Sequence, residues 1–207
     1  MDILNLETLK IIGEGGYKLV YQHPVYADRV IKVMRPERVA ADGGFTKHGP
    51  LKRNSFQGVY RQFRREIIQY LQLCKNNYLN HSISFPIETP SELVMTSKGV
   101  GLVAEKILAP DGSVKSLASI VNNKEFSEKH SVALDKFFAD CRRLHVVYGE
   151  VNPYGIMYTE SRNGRAEFVL VDGIGEKLFI PVRSWFKWNN DRYIKKIEKR
   201  IKKQLEI

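Results

Sequence analysis

Ile12-Gly13-Glu14-Gly15-Gly16-Tyr17-Lys18-Leu19-Val20-Tyr21 is the stretch on which the fold turns. Leu9-Lys10-Ile11-Ile12 leads into the glycines and Leu19-Val20-Tyr21 leads away, which reads as strand, tight turn, strand. The glycines are expected to supply backbone angles that other residues resist. Such a turn also lets backbone N–H groups approach phosphate oxygens with no side chain in the way. Taken alone, any tight hairpin looks similar. Arg29-Val30-Ile31-Lys32-Val33-Met34 is rich in β-branched residues and predicts the next strand.

Outward from this segment the pattern alternates sheet and helix. Residues 35–53, with Pro36, Gly43, Gly44, Gly49 and Pro50, read as a long mobile loop. Over Gln57–Gln72, Val59, Phe63, Ile67 and Tyr70-Leu71 recur at spacings of three and four and predict an amphipathic helix. Glu92–Thr96 and Gly101–Glu105 predict two strands joined by a compact loop. Val132, Leu134, Phe137, Phe138, Cys141 and Leu144 predict a second helix within Phe126–Val147. Gly155–Tyr158 and Glu167–Val171 bracket Arg162-Asn163-Gly164-Arg165, a hairpin signal. A basic helix is expected from about Trp185 onward, with Tyr193, Ile194, Ile197, Ile201 and Leu205 inward and Lys195, Lys199, Lys202 and Lys203 toward water.

Composition narrows the class. Of 207 residues, 43% are hydrophobic and 27% charged, which excludes whole-chain disorder. Apolar runs such as Phe168-Val169-Leu170-Val171 fall far short of the ~20 residues of a membrane span. The opening Met1-Asp2-Ile3-Leu4-Asn5-Leu6-Glu7 lacks a secretory layout, so a cytoplasmic protein is expected. Cys74 and Cys141 stand in unrelated contexts and suggest neither a disulfide framework nor a metal site. The net charge is +10, and residues 183–207 carry nine Lys/Arg against Asp191, Glu198 and Glu206, or +6 of it. That field attracts phosphates in nucleic acid, lipid headgroups or nucleotides without selecting among them. Trp185 and Trp188, three apart, are expected to pack together into the core.

Three further features carry chemistry. Lys32 lies in an apolar strand, where a buried ammonium needs a partner, although strand lysines more often face outward. Glu66, 34 residues later on the first helix, is the candidate partner. Glu150, in Tyr148-Gly149-Glu150-Val151-Asn152-Pro153, and Asp172, in Val171-Asp172-Gly173-Ile174-Gly175, flank the second hairpin. A hairpin can bring both acids to one end, one to bind a metal and one to position a hydroxyl, while Asp-Gly is equally turn chemistry.

The order glycine turn, strand lysine, helix glutamate, acidic loop, Asp-Gly resembles the protein kinases. Gly13 and Gly15 resemble the first two phosphate-loop glycines, Val20 the valine after them, Lys32 the strand lysine and Glu66 its helix partner. Glu150 stands at the catalytic-loop aspartate and Asp172 at the metal-binding aspartate. More closely, Asp172-Gly173-Ile174-Gly175-Glu176, Ile180-Pro181 and Ser184-Trp185-Phe186-Lys187-Trp188 resemble the PhoP-regulatory-network protein YrbL family, a small bacterial kinase-like group. This resemblance covers roughly residues 9 to 200.

It implies an α+β, protein-kinase-like bilobal fold. Residues 1–105 would form an antiparallel-sheet N-lobe and 106–207 a reduced, mainly helical C-lobe, with ATP and Mg²⁺ between them. Nucleotide contacts are implied for Gly13, Gly15, Gly16, Lys18, Val20, Lys32 and Glu66, and for Glu105 and Ile107 beside a hinge near Lys106–Pro110. Lys32, Glu150 and Asp172 would be catalytic, Asp172 holding the metal. The departures are specific: Lys18 replaces the third loop glycine, so a cation would contact phosphate there; Glu150 replaces aspartate; Gly149 replaces the preceding basic residue; and Gly155 replaces the second metal-binding asparagine. Those changes favour, as the alternative to a phosphotransferase with an unidentified acceptor, a non-catalytic nucleotide-binding regulator. A nonspecific binder of nucleic acid or another anionic surface, acting through the basic helix, is the third possibility.

Overall fold

A computed structural model describes residues 3–46, 57–80, 84–149, 152–177 and 180–207. The chain is α+β. It divides into two compact units, Met1–Ile67 with Thr89–Lys106 and Ile68–Glu88 with Ile107–Ile207.

The first unit is built on a five-stranded antiparallel sheet in the order β1-β2-β3-β5-β4. The strands are β1 (Ile11–Glu14), β2 (Lys18–Gln22), β3 (Arg29–Met34), β4 (Pro90–Thr96) and β5 (Gly99–Glu105). Side chains alternate between the two faces. Leu19, Tyr21, Ile31, Val33 and Val103 share one core with Leu6, packed by Leu4 and Leu9. Met34 and Leu102 share the other with Phe45, Val59 and Phe63, packed by Ile67. The last two belong to helix α1 (Arg61–Asn76). Because both faces are covered, β3 is buried throughout Val30 to Met34, Lys32 included. In register, Val20 lies opposite Lys32 and Lys18 opposite Met34, so Lys18 and Lys32 belong to the helix-covered face.

The turn between β1 and β2 forms differently from the expectation. None of Gly13, Gly15 and Gly16 adopts the left-handed conformation. The turn closes through Gly15 N–H donating to Lys18 O at 2.8 Å. The expected 35–53 loop holds a 3-10 turn at Pro36–Arg38 and a bridge between Val39 and Phe45; its remainder beyond residue 46 lies outside the described residues.

Among the described residues the second unit holds the C-terminal part of α1, which sends Leu73 into its core, and four further helices and a hairpin. The latter are α2 (Leu117–Asn122), α3 (Glu128–Arg143), β6 (Ile156–Thr159), β7 (Glu167–Leu170), α4 (Val182–Trp185) and α5 (Lys187–Leu205). Phe137, Phe138 and Cys141 of α3 meet Ile194, Ile197 and Ile201 of α5 in that core. Helix α2 escapes the periodicity argument because it is under two turns long. Its signal was Ser116, whose hydroxyl accepts from Ser119 N–H at 3.0 Å while the Ser119 hydroxyl accepts from Ser116 N–H at 2.9 Å.

Two expectations fail here. Trp185 and Trp188 do not enter the core: they are 64% and 60% exposed, with Phe186 exposed between them. A spacing of three aligns two residues on a helix without stating which side is covered, and Trp185 ends α4 before α5 begins. Lys202 does not simply face water; its ammonium lies 2.5 Å from Asp135 and 3.4 Å from Glu198.

Candidate functional site

The first unit gathers a buried charged group beneath the glycine turn. Lys18 is 7%, Lys32 4% and Glu66 5% exposed. Lys18 Nζ donates to Glu66 Oε1 at 2.6 Å. Lys32 Nζ lies 3.9 Å from Glu66 Oε2, an oxygen that has no hydrogen-bond partner. Strand parity and helix position together explain the grouping, since both lysines face α1 and Glu66 sits on its first turns. The structure thus brings Lys32 and Glu66 together as the spacing suggested. It also turns Lys18 inward onto the same carboxylate.

Above this group the turn is held from outside. Arg35, which the sequence argument overlooked, donates from Nε to Gly15 O at 2.7 Å, and its guanidinium pairs with Glu14 at 2.7 Å and Glu37 at 3.1 Å. A methyl group built on Gly16 would meet no atom within 4 Å; on Gly15 the nearest atom would be Lys18 O at 3.6 Å and on Gly13 Val20 Cβ at 3.5 Å. Among the described residues, neither packing nor backbone conformation therefore calls for glycine at these positions. Glu105 closes the last strand, its carboxylate accepting from Thr89 N–H at 3.3 Å. Ile107 is buried in the second unit.

In the second unit, residues 145–149 run beside the segment after β7. Gly149 N–H donates to Gly173 O at 2.8 Å and Gly175 N–H to Val147 O at 2.8 Å. Gly173 and Gly175 make this possible with φ of 75° and 86°, angles that β-carbon-bearing residues resist. Asp172 therefore adjoins Gly173 on one strand of this pairing, and Gly149 lies on the other. Glu150 lies outside the described residues. A methyl group on Gly155 would stand 3.3 Å from Asp172 Cβ, so the backbone of the hairpin passes close behind that acid.

Side chains from three elements hold the 145–149 segment. Gln69 Oε1 accepts from Val147 N–H at 3.3 Å. Asn190 Nδ2 donates to Val146 O at 2.9 Å, Arg183 Nη1 to Tyr148 O at 2.9 Å and the Tyr193 hydroxyl to Gly149 O at 2.8 Å. Arg183 is 5% exposed, pairs with Glu176 and lies 4.3 Å over the Tyr193 ring. His145, two residues past the end of α3, takes a left-handed conformation, with its Nε2 2.7 Å from Arg183 O. Backbone groups this deep must find partners, and here side chains supply them. Burial pushes the Tyr148 hydroxyl well above its ordinary pKa. Arg183, Asn190 and Tyr193 were invisible as site residues because they meet this loop from 35 to 44 positions away.

Among the described residues no three His, Cys, Asp or Glu side chains converge to hold a metal, and no helix is long and apolar enough to cross a membrane. A comparison with curated proteins finds no match. Protein-family comparison gives a match described as PhoP regulatory network protein YrbL over residues 4–206, nearly the whole chain. The glycine turn, the buried Lys18–Glu66–Lys32 group and the Arg183-held loop all fall within that match, and the chain belongs to the PhoP regulatory network protein YrbL family.

Proposed function

We propose that this protein binds Mg-ATP and acts as a kinase-like phosphotransferase, the first unit serving as N-lobe and the second as a reduced C-lobe. The observation that carries this reading is the buried Lys18–Glu66–Lys32 group beneath a turn whose glycines no packing among the described residues requires. A turn left bare of side chains offers its N–H groups to phosphate. Lys32, held by Glu66, orients the α and β phosphates, and Lys18 fixes Glu66 from the other side. Asp172 is the magnesium ligand. A single carboxylate suits magnesium that arrives on phosphates, since the ion keeps phosphate and water oxygens for most of its shell. When bound, Mg-ATP supplies the electrophilic phosphoryl group. Glu150 orients the acceptor hydroxyl and takes its proton.

A second reading rests on Gly155, which places backbone and no ligating group behind Asp172. It makes the protein a nucleotide-binding regulator without turnover.

Thermal-shift measurement with ATP, with and without magnesium, tests the proposal in wild type, Lys32→Met and Asp172→Asn. Binding to the native state raises the melting temperature by mass action. The expected result is stabilisation by Mg-ATP, lost in Lys32→Met and made magnesium-independent in Asp172→Asn. Absence of any nucleotide effect on the folded wild type overturns both readings. Stabilisation without ADP formation in any acceptor mixture leaves the regulator.

A further inference from the structure

Helix α5 presents two stripes of opposite chemistry. Asn190, Ile194, Ile197 and Ile201 are buried at spacings of four, three and four. Trp188, Arg192, Lys195, Lys199 and Lys203 recur at four, three, four and four and are exposed, with Lys196 beside them. At 3.6 residues per turn these stripes lie on opposite sides of the helix. Every acid on the helix proper is engaged away from the exposed stripe: Asp191 with Lys187 at 3.0 Å, and Glu198 with Arg142 at 2.7 Å and Lys202 at 3.4 Å. Arg192, Lys195, Lys196, Lys199 and Lys203 form no ion pair among the described residues. Arg192 instead lies 5.9 Å over the Trp188 ring.

At the helix's N-terminal end this cationic stripe meets exposed Trp185, Phe186 and Trp188. Large aromatic side chains left in water beside unpaired cations are costly for a fold that works alone. Indole rings favour the water–hydrocarbon boundary of a bilayer, where an apolar body and a polar N–H are both accommodated. Lysines are point charges without a fixed hydrogen-bonding fork, suited to a fluid two-dimensional array of phosphates. The aromatics stand at one end of the stripe and are not interleaved along it as a stacking platform for bases requires.

We propose that the outer face of α5, with Trp185, Phe186 and Trp188, is a docking surface for a bilayer rich in anionic lipid. The lysine stripe lies on the headgroups and the aromatics enter the interface. The proposal is independent of nucleotide binding.

Trp185 and Trp188 are the chain's two tryptophans, so intrinsic fluorescence reports directly on this surface. The full-length protein is titrated with phosphatidylcholine vesicles, with and without about one-third phosphatidylglycerol. The expected result is a blue shift and quenching by brominated lipid with the anionic vesicles only. Binding should collapse as salt shortens the Debye length from about 10 Å at 0.1 M to about 3 Å at 1 M. Each lysine near such a surface is worth about five-fold in binding, so Lys195→Gln/Lys199→Gln/Lys203→Gln should lose roughly a hundred-fold. Those exposed positions leave the core intact, and circular dichroism checks that the variant is folded. Failure to bind anionic vesicles overturns the proposal, as does binding that the triple variant retains or that leaves the tryptophans unquenched. Removal from the vesicles by single-stranded RNA at equal phosphate concentration also overturns it, and assigns the surface to nucleic acid.

Discussion

Lys18, and not Lys32, donates the hydrogen bond to Glu66: its Nζ lies 2.6 Å from Oε1, while the strand lysine stands 3.9 Å from Oε2. Glu66 is thus the shared counter-ion of two buried ammoniums on one sheet face. Removing the carboxylate leaves both cations in a desolvated place. Glu66→Ala should cost about 3–5 kcal/mol, the range for breaking a buried pair by deleting one partner. Lys18→Met should cost clearly less, because Lys32 still neutralises the carboxylate and the methionine keeps the apolar stem. Urea denaturation followed by circular dichroism gives the order, and Lys18→Met proving the worse variant refutes this assignment of roles.

Gly16 separates folding from function. Its substitution by alanine meets open space and a compatible backbone, so Gly16→Ala should leave stability unchanged or raise it by about 0.4–1 kcal/mol. Under the proposed function the same methyl group obstructs phosphate, and Mg-ATP should stabilise the variant less than wild type. A fall in melting temperature without nucleotide would show that the turn needs glycine for its own sake.

Arg183 holds the loop before Glu150. It bonds Tyr148 O, pairs with Glu176 and covers Tyr193. Arg183→Ala should destabilise by about 1–3 kcal/mol, since the buried Tyr148 O loses its donor and Glu176 loses the guanidinium it pairs with. Arg183→Lys should not restore the loss, because an ammonium cannot reproduce the planar fork. Chemical denaturation of Arg183→Ala, Arg183→Lys and Glu176→Gln measures this; recovery by lysine would show that charge alone matters.

Two histidines should make stability depend on pH. His130 Nδ1 accepts from Ser127 N–H at 3.2 Å at the start of α3, and His23 Nδ1 accepts from Tyr26 N–H at 3.0 Å. Both bonds require an unprotonated Nδ1. Burial lowers both pKa values, with Lys129 adding to the effect at His130 and Arg29 at His23, while nearby carboxylates oppose it. The unfolded chain therefore binds these protons more tightly, and stability falls as pH drops below about 6.5 toward the folded-state values. His130→Gln, which can keep the helix cap, should flatten part of the slope between pH 5.5 and 7.5, and His23→Gln/His130→Gln should remove most of it. Melting temperatures across that range decide, and an unchanged slope in the double variant would place the titration elsewhere.

Much of this architecture was legible in one dimension. The β-branched run around Lys32, the three-and-four spacing of α1 and α3, and the Arg162–Arg165 turn each state a local period, and local periods survive folding. Glu66 was legible only as a candidate partner for Lys32, because a buried strand lysine needs a carboxylate but strand lysines more often face outward; burial of β3 on both faces decided it.

The inward turn of Lys18, the exposure of Trp185 and Trp188 and the hold of Arg183 on Tyr148 were not. Whether Lys18 faces helix or solvent depends on strand register, and a one-residue slip would reverse it. The tryptophans' spacing is the same whether or not another element covers them. Sequence alone determined which segments become strands and helices and where charge accumulates, since those follow from each residue's neighbours along the chain. Tertiary structure decided which face is covered and which distant side chain satisfies a buried carbonyl, since both depend on elements that meet only after the chain has folded.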